Sequence, residues 1–245
     1  MATVREFDPA RQRLLSRIHR RGFQTVTKAV SVGGGLTVEF TRITDPDRVL
    51  DQVAEAEDRR EKVTGRRSPE DQLHLPYWAE LWDSAVGLAR FLVMANPPPM
   101  SPGASVLDLG CGMGLAGTVA AALGGRVLFA DLEEPALLFA RLNSLPYRDR
   151  VRARRLNWQA DRLAERFDLI LGADILYERR QWEFLEPFWR AHVAPGGSVL
   201  LGEPGRQTGD MFVDWIGPRG WKLNHAEQAV ETRPKPVRVL QLAVA

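Results

Sequence analysis

Ser105-Val106-Leu107-Asp108-Leu109-Gly110-Cys111-Gly112-Met113-Gly114-Leu115-Ala116-Gly117 is the stretch whose reading decides the fold. A short apolar run breaks into glycines and reopens as an alanine-rich segment, which is the order strand, tight turn, helix. Val106, Leu107 and Leu109 come without period-2 alternation, as expected of a strand covered on both faces of a mostly parallel sheet. Gly110, Gly112 and Gly114 remove the Cβ atoms that would hold a ligand away from the backbone N–H groups opening the next helix. A nucleotide-like ligand is therefore expected above the turn.

Gly112-x-Gly114-x-x-Gly117 also spells the dinucleotide fingerprint, a weak signal when it stands alone. In a dinucleotide site the first glycine follows the strand at once and the helix N-terminus receives a diphosphate. Here Asp108 precedes Gly110 by two residues, so its carboxylate is expected to face whatever lies over the loop. Such a charge repels a diphosphate and suits the ammonium and sulfonium of S-adenosylmethionine. Arg126 to Asp131 reads as the next strand, and Asp131, about 20 residues past the first glycine, can accept from ribose hydroxyls. The alternative for Asp131, a cap before Glu133-Glu134-Pro135, is compatible with that role.

At 245 residues with 44% hydrophobic content, the chain suits one domain with an extension. Its single cysteine, Cys111, excludes an intrachain disulfide and points to a reducing cytoplasm. The first residues lack an apolar signal core and no apolar run nears the ~18 residues of a membrane span, so no membrane partner is expected. Net charge is +2, and the basic residues include only four lysines (Lys28, Lys62, Lys222, Lys235). Arginines gather from Arg11 to Arg21 and from Arg141 to Arg166. They read as solvated faces, with a basic patch as the alternative, and nucleic acid is not the expected partner. No His/Cys cluster has metal-ligand spacing and no nucleophile–base pair is evident, so no metal site is expected.

Along the chain, Asp8-Pro9 and Asp45-Pro46 are cap-plus-proline helix starts, and Gly33-Gly34-Gly35 joins two strand-like runs, Gln24 to Val32 and Leu36 to Ile43. Polar Glu57 to Gln72 reads as a linker. Residues 1–72 thus form a helix and β-hairpin extension, and residues 73–245 a second unit. Leu81, Ala85, Leu88 and Leu92 make a helical stripe with Trp78, Trp82 and Val86 beside it; the tryptophans are core or wall a cofactor. Asn96-Pro97-Pro98-Pro99 reads as a loop. A helix from Glu134 to Asn143 leads to a strand, Val151 to Leu156, after which Trp158 borders an adenine or is buried at the helix–sheet junction. Phe167 to Tyr177 is the next strand, then Gly197 to Gly202, a strand near Trp221 to Ala226, and Val237 to Val244. This alternation argues for a doubly wound, mainly parallel Rossmann-like α/β sheet, with ligands at the carboxyl ends of the strands. That rule gathers Asp108, Gly110, Asp131, Trp158 and Asp174 on one rim.

With these residues in place, residues 75–204 resemble the seven-β-strand S-adenosylmethionine-dependent methyltransferases, in particular methyltransferase family 16, many of whose members are protein-lysine methyltransferases. The blocks that match are Trp82-Asp83-Ser84-Ala85, Val106 to Gly114, Asn157-Trp158, and Phe167 to Tyr177 with its Gly-Ala-Asp-Ile-Leu-Tyr. The resemblance implies cofactor contacts at Trp82, Gly110, Cys111, Gly112, Asp131, Trp158 and Ala173, to which the reading of the glycine turn adds Asp108 and Gly114. It places the methyl-accepting site at Asp174 and Tyr177, with a lysine of a protein as acceptor. Asp174 would orient the amine and Tyr177 line its channel; a helix cap is the alternative for Asp174. Within the family, Pro76-Tyr77-Trp78-Ala79 and Gly202-Glu203-Pro204-Gly205-Arg206 are similar to the branch that methylates the β subunit of the electron-transfer flavoprotein. Rival expectations are methylation of a small molecule or an RNA base, and a cofactor-binding module without catalysis.

Overall fold

The computed structural model describes residues 8–66 and 75–244. Asp8 starts α1 (Pro9–Arg20) by accepting the Ala10 N–H at 2.7 Å, and Pro9 takes the first helical position, where a missing N–H leaves no bond unmade. β1 (Thr25–Ser31) and β2 (Thr37–Ile43) pair antiparallel across the three-glycine turn. Asp45 caps α2 (Pro46–Thr64) through the Arg48 N–H.

The expected linker is corrected in its first part. From Glu57 the chain stays helical to Thr64 and stops at Gly65, whose φ of 66° carries its N–H back to Glu61 O at 2.8 Å. The charged stretch from Glu57 gives little periodic signal of its own; it continues a helix whose start is anchored in the core by Val49, with exposed pairs such as Arg59–Glu55 adding a few tenths of a kcal/mol at most. The rest of that linker, from residue 67 to 72, and the expected boundary between residues 72 and 73, lie outside the described residues.

The tryptophan stripe is also corrected. A short 3-10 turn, Tyr77–Ala79, precedes α3 (Asp83–Met94), and Trp82 is the N-cap with an extended ψ of 141°. Its indole Nε1 donates back to Tyr77 O at 2.8 Å, so Trp78 and Trp82 close a turn and do not share a helix face. After the proline loop come β3 (Ser105–Leu109), α4 (Leu115–Ala122), β4 (Arg126–Asp131), α5 (Glu134–Asn143), β5 (Val151–Arg155) and β6 (Phe167–Ala173). α6 (Trp182–His192), β7 (Val193–Glu203), α7 (Gln207–Ile216), β8 (Trp221–Gln228) and β9 (Val237–Val244) complete the chain. β6 ends at Ala173 and not at Tyr177, because Asp174 turns into the left-handed region at φ 56°.

The strands form a seven-stranded sheet in the order β5-β4-β3-β6-β7-β9-β8, with β9 antiparallel to both neighbours and the other pairs parallel. This is the doubly wound, mainly parallel α/β fold expected. Strand order reverses between β3 and β6, which opens a crevice at their carboxyl ends. Period-2 alternation assigns each β3 side chain to a face. Val106 packs among Val119, Ala120 and the rest of the α3–α4–α5 side, while Leu107 and Leu109 join Trp182, Phe188 and the α6–α7 side. Asp108 shares the parity of Val106 and is turned under α4.

The N-terminal elements share that first core: Ile18, Val32, Phe40 and Ile43 cluster with Leu137 to Ala140 of α5. One buried side chain ties them to the glycine turn. Asn143 accepts the Thr41 N–H at 2.7 Å and donates through Nδ2 to Thr41 O at 3.0 Å and Met113 O at 2.9 Å. The basic segments are solvated faces carrying ion pairs, Arg17 and Arg21 with Glu134, and Arg148 with Asp8. No helix among the described residues is long and apolar enough to cross a membrane.

Asn143→Ala leaves three buried backbone groups without a partner and is expected to lower stability by about 1–3 kcal/mol. Urea denaturation measures it; a midpoint equal to that of the parent contradicts the tie.

Candidate functional site

A cavity of about 560 Å³ opens at the carboxyl ends of β3, β4 and β6, within the roughly 300–1,000 Å³ usual for small-molecule sites. Trp82, Gly110, Cys111, Gly112, Gly114, Asp131, Trp158, Ala173, Asp174 and Tyr177 all line it. Every residue expected at the site is brought together there except Asp108.

Asp108 is 2% exposed, off the cavity wall, and its Oδ2 accepts the Gly117 N–H at 2.9 Å. The expectation that it faces the ligand is corrected by the strand parity described above. A Cβ on Gly117 would stand 2.7 Å from that oxygen, so glycine is required for the helix to come this close. Burial pushes the Asp108 carboxyl up to about 7, with the Gly117 N–H opposing and the Asp131 charge adding to the rise.

The glycine turn itself is a second correction, because three of its amides, those of Cys111, Gly112 and Gly114, are already engaged within the chain. Cys111 N–H reaches Ala130 O at 3.1 Å, Gly112 N–H reaches Asp131 Oδ2 at 2.8 Å, and Gly114 N–H reaches Cys111 O at 2.8 Å. Thr118 N–H bonds Gly114 O at 3.0 Å. A diphosphate needs such donors, and the three in the turn are taken. Gly112, at φ 51°, has no atom nearer than 3.6 Å to where a Cβ would stand, which leaves an open cradle beside Trp78 O.

Asp131 also accepts the Glu133 N–H through Oδ1 at 2.9 Å. It is not the cap of α5, which starts from Glu133 without a side-chain bond. Two backbone donors leave about two of the four acceptor positions of a carboxylate for a ligand. Burial pushes the Asp131 carboxyl up to about 6, against the pull of the Glu133 and Gly112 N–H groups. The Trp158 ring covers Gly110, and its Nε1 donates to Gln181 Oε1 at 3.0 Å. Gln181 in turn donates to Glu178 at 3.0 Å. Burial raises the Cys111 thiol well above its ordinary range, so Cys111 stands as a neutral wall.

At the other end of the cavity, Asp174 is 9% exposed and its N–H bonds Gly202 O at 2.8 Å. It caps no helix: the 3-10 turn before α6 starts from Glu178, and α6 itself has no side-chain cap. Both its oxygens meet the guanidinium of Arg206, Oδ1 with Nη1 and Oδ2 with Nη2 at 3.2 Å. Burial raises the Asp174 carboxyl, and Arg206 pulls it back. Tyr177 packs edge-on against Tyr77 at 5.4 Å between centroids, and Tyr77 meets Trp82 at 6.4 Å. These half-exposed rings, with Phe184, make an aromatic mouth. Burial, with the Glu178 charge adding, pushes the Tyr177 phenol up to about 12, so it stays neutral.

Sequence reading missed Gln181, Tyr77 and the pairing of Arg206 with Asp174. Arg206 stands 32 residues from Asp174, and no periodic pattern links them. Glu203 and Arg206 do sit in the quoted Gly202–Arg206 block, which was the signal available. Among the described residues, no group of three or more His, Cys, Asp or Glu is placed to hold a metal ion.

A family model described as lysine methyltransferase matches residues 71–213. Electron transfer flavoprotein beta subunit lysine methyltransferase of Xenopus laevis is 36% identical over 138 residues, covering 54% of this chain and 53% of that protein. Protein N-lysine methyltransferase METTL21A of Danio rerio is 36% identical over 143 residues, covering 55% of this chain and 64% of that protein. The chain thus spans about half to two thirds of the length of these relatives. Among solved structures, the glycopeptide N-methyltransferase MtfA complexed with sinefungin superposes with a TM-score of 0.55 at 16% identity, over 65% of this chain and 93% of that one. A TehB-like SAM-dependent methyltransferase from Corynebacterium glutamicum gives 0.53 at 20% identity, over 82% and 100%. At these identities the two structures speak for the fold.

The buried carboxyl of Asp108 carries a pH dependence. Its pKa rises from 3.8 to about 7 on folding, so the folded chain keeps a proton that the unfolded chain releases, and its contribution to stability is lost as pH rises through that window. Asp108→Asn keeps an acceptor for Gly117 and does not titrate. Melts at stepped pH are expected to show the parent losing stability relative to the variant from about pH 4 to 7; a constant difference contradicts the assignment.

Proposed function

This chain belongs to the lysine methyltransferase family, and from that premise we propose that it transfers the methyl group of S-adenosylmethionine to a lysine side-chain amine of a protein. The observation that carries the reading is one cavity lined both by Asp131, which has free acceptor positions, and by Asp174, beside an aromatic mouth. The residues present fit the donor. Asp131 would take the ribose hydroxyls, Trp158 would border the adenine, and Gly110, Cys111, Gly112, Gly114, Ala173 and Trp82 would shape the wall. The engaged amides of Cys111, Gly112, Gly114 and Gly117 argue against a diphosphate in the same place.

When bound, S-adenosylmethionine supplies a methyl group on a sulfonium, and the C–S bonding pair stays with sulfur as the acceptor lone pair forms the new N–CH₃ bond. The chain's own task is positioning, worth up to about 7–11 kcal/mol when reactants are held in near-attack geometry. Asp174 accepts an N–H of the amine and points its lone pair inward. Tyr77 and Tyr177 surround the alkyl stem and keep water out. A lysine amine has a free pKa of about 10.4 and must lose its proton to solvent first; desolvation between these rings favours the neutral form. Asp108 acts from beneath, fixing the turn through Gly117. The lone cysteine supports a reducing, cytoplasmic setting.

Incubating host lysate with the chain and isotope-labelled donor, followed by tandem mass spectrometry, is expected to place label on lysine Nζ of a protein. Label confined to RNA or to metabolites would exclude the reading. Asp174→Ala should slow protein labelling by about 10²-fold while donor binding by calorimetry stays within about twofold; unchanged labelling removes Asp174 from the reaction.

A further inference from the structure

Asp174 is held more elaborately than a residue that only meets substrate needs to be. Its φ of 56° is a left-handed conformation that few residues other than glycine adopt, although aspartate tolerates it better than most. Both its oxygens lie in the fork of Arg206, a bidentate geometry that fixes a carboxylate in direction as well as in place.

Arg206 is itself built in. Its backbone N–H meets Glu203 Oε2 at 3.2 Å, and its guanidinium carbon lies 5.8 Å from the centre of the Trp82 ring. Glu203, 2% exposed, is held by Arg238, which also reaches Asp210 of α7 at 2.6 Å. Arg233 closes the same turn on Pro204 O at 2.6 Å. An ion-pair chain anchored on the buried Glu203 therefore sets where the turn after β7, and with it the Arg206 fork, stands.

Two roles are open to such an arginine: a plug that occupies the carboxylate until substrate displaces it, or a clamp that aims the carboxylate at substrate. The cavity wall decides between them. Asp174 lines the cavity and Arg206 is not among its lining residues; the guanidinium comes from the N-cap position of α7 and lies over the Trp82 ring. The fork uses two of about four acceptor positions, and an amine arriving through the cavity meets the others without displacing the arginine.

Resting on the methyl-transfer reading above, we propose that Arg206 is a positioning residue that holds the Asp174 carboxylate in the direction required by the acceptor amine. Glu203 and Arg238 fix the turn that carries it.

The test uses the full 245-residue chain, heat-treated host lysate as acceptor pool, and tritiated S-adenosylmethionine, with label counted in precipitated protein. Arg206→Ala is expected to slow labelling by about 10²-fold, with the donor Kd within about twofold of the parent. Arg206→Lys keeps the charge without the fork and should recover only part of the rate. Because the arginine acts through Asp174, the Asp174→Ala/Arg206→Ala double variant should be no slower than Asp174→Ala alone. An Arg206→Ala enzyme as fast as or faster than the parent, or a double variant that loses both factors in full, overturns the inference and leaves methyl transfer standing. A parent that labels no protein overturns both.

Discussion

The hydrogen bond from the Gly117 N–H to the buried carboxylate of Asp108 is the constraint around which the site is arranged. It follows from strand parity: in a strand covered on both sides, the residue between Leu107 and Leu109 must face the opposite layer, and that layer is α4. Once the acid lies there, an amide at the helix start, that of Gly117, is already engaged. The turn above closes on itself through Ala130, Asp131 and Cys111. A fold whose first glycines can spell a dinucleotide site is thereby turned into one that offers walls and carboxylates in place of phosphate donors.

Two of the carboxylates that line the cavity are held in different ways. Asp131 is anchored by backbone amides, which hold it firmly and leave part of it free. Asp174 is anchored by a guanidinium, which opposes the rise in its pKa that burial causes. Between them the wall is aromatic or small, from Trp158 over Gly110 to Ala173 and Trp82. The N-terminal hairpin belongs to the same construction, since Phe40 reaches the cavity and Asn143 binds both β2 and the glycine turn.

Most of the fold was legible because its signals are local. Asp-Pro caps, the three-glycine turn and unbroken apolar runs each declare an element without reference to the rest of the chain, and α5 runs from Glu134 to Asn143 as read. The rim residues were legible for a related reason, since they follow strand ends directly. What escaped depends on geometry between elements. Asp108 was placed correctly along the chain and assigned to the wrong side of it, because the glycine pattern gives the turn but not the parity. Arg206 and Gln181 reach their partners across 32 and 23 residues, and no spacing rule connects them. The end of β6 was missed because only the backbone shows that Asp174 turns left-handed.

The central claim is that this cavity accepts a positively charged adenosyl donor and refuses a diphosphate. Calorimetric titration of the chain with S-adenosylmethionine and, separately, with NADH tests it most directly. One site is expected for S-adenosylmethionine, and no heat of binding for NADH. Saturable NADH binding that S-adenosylmethionine fails to displace would contradict it.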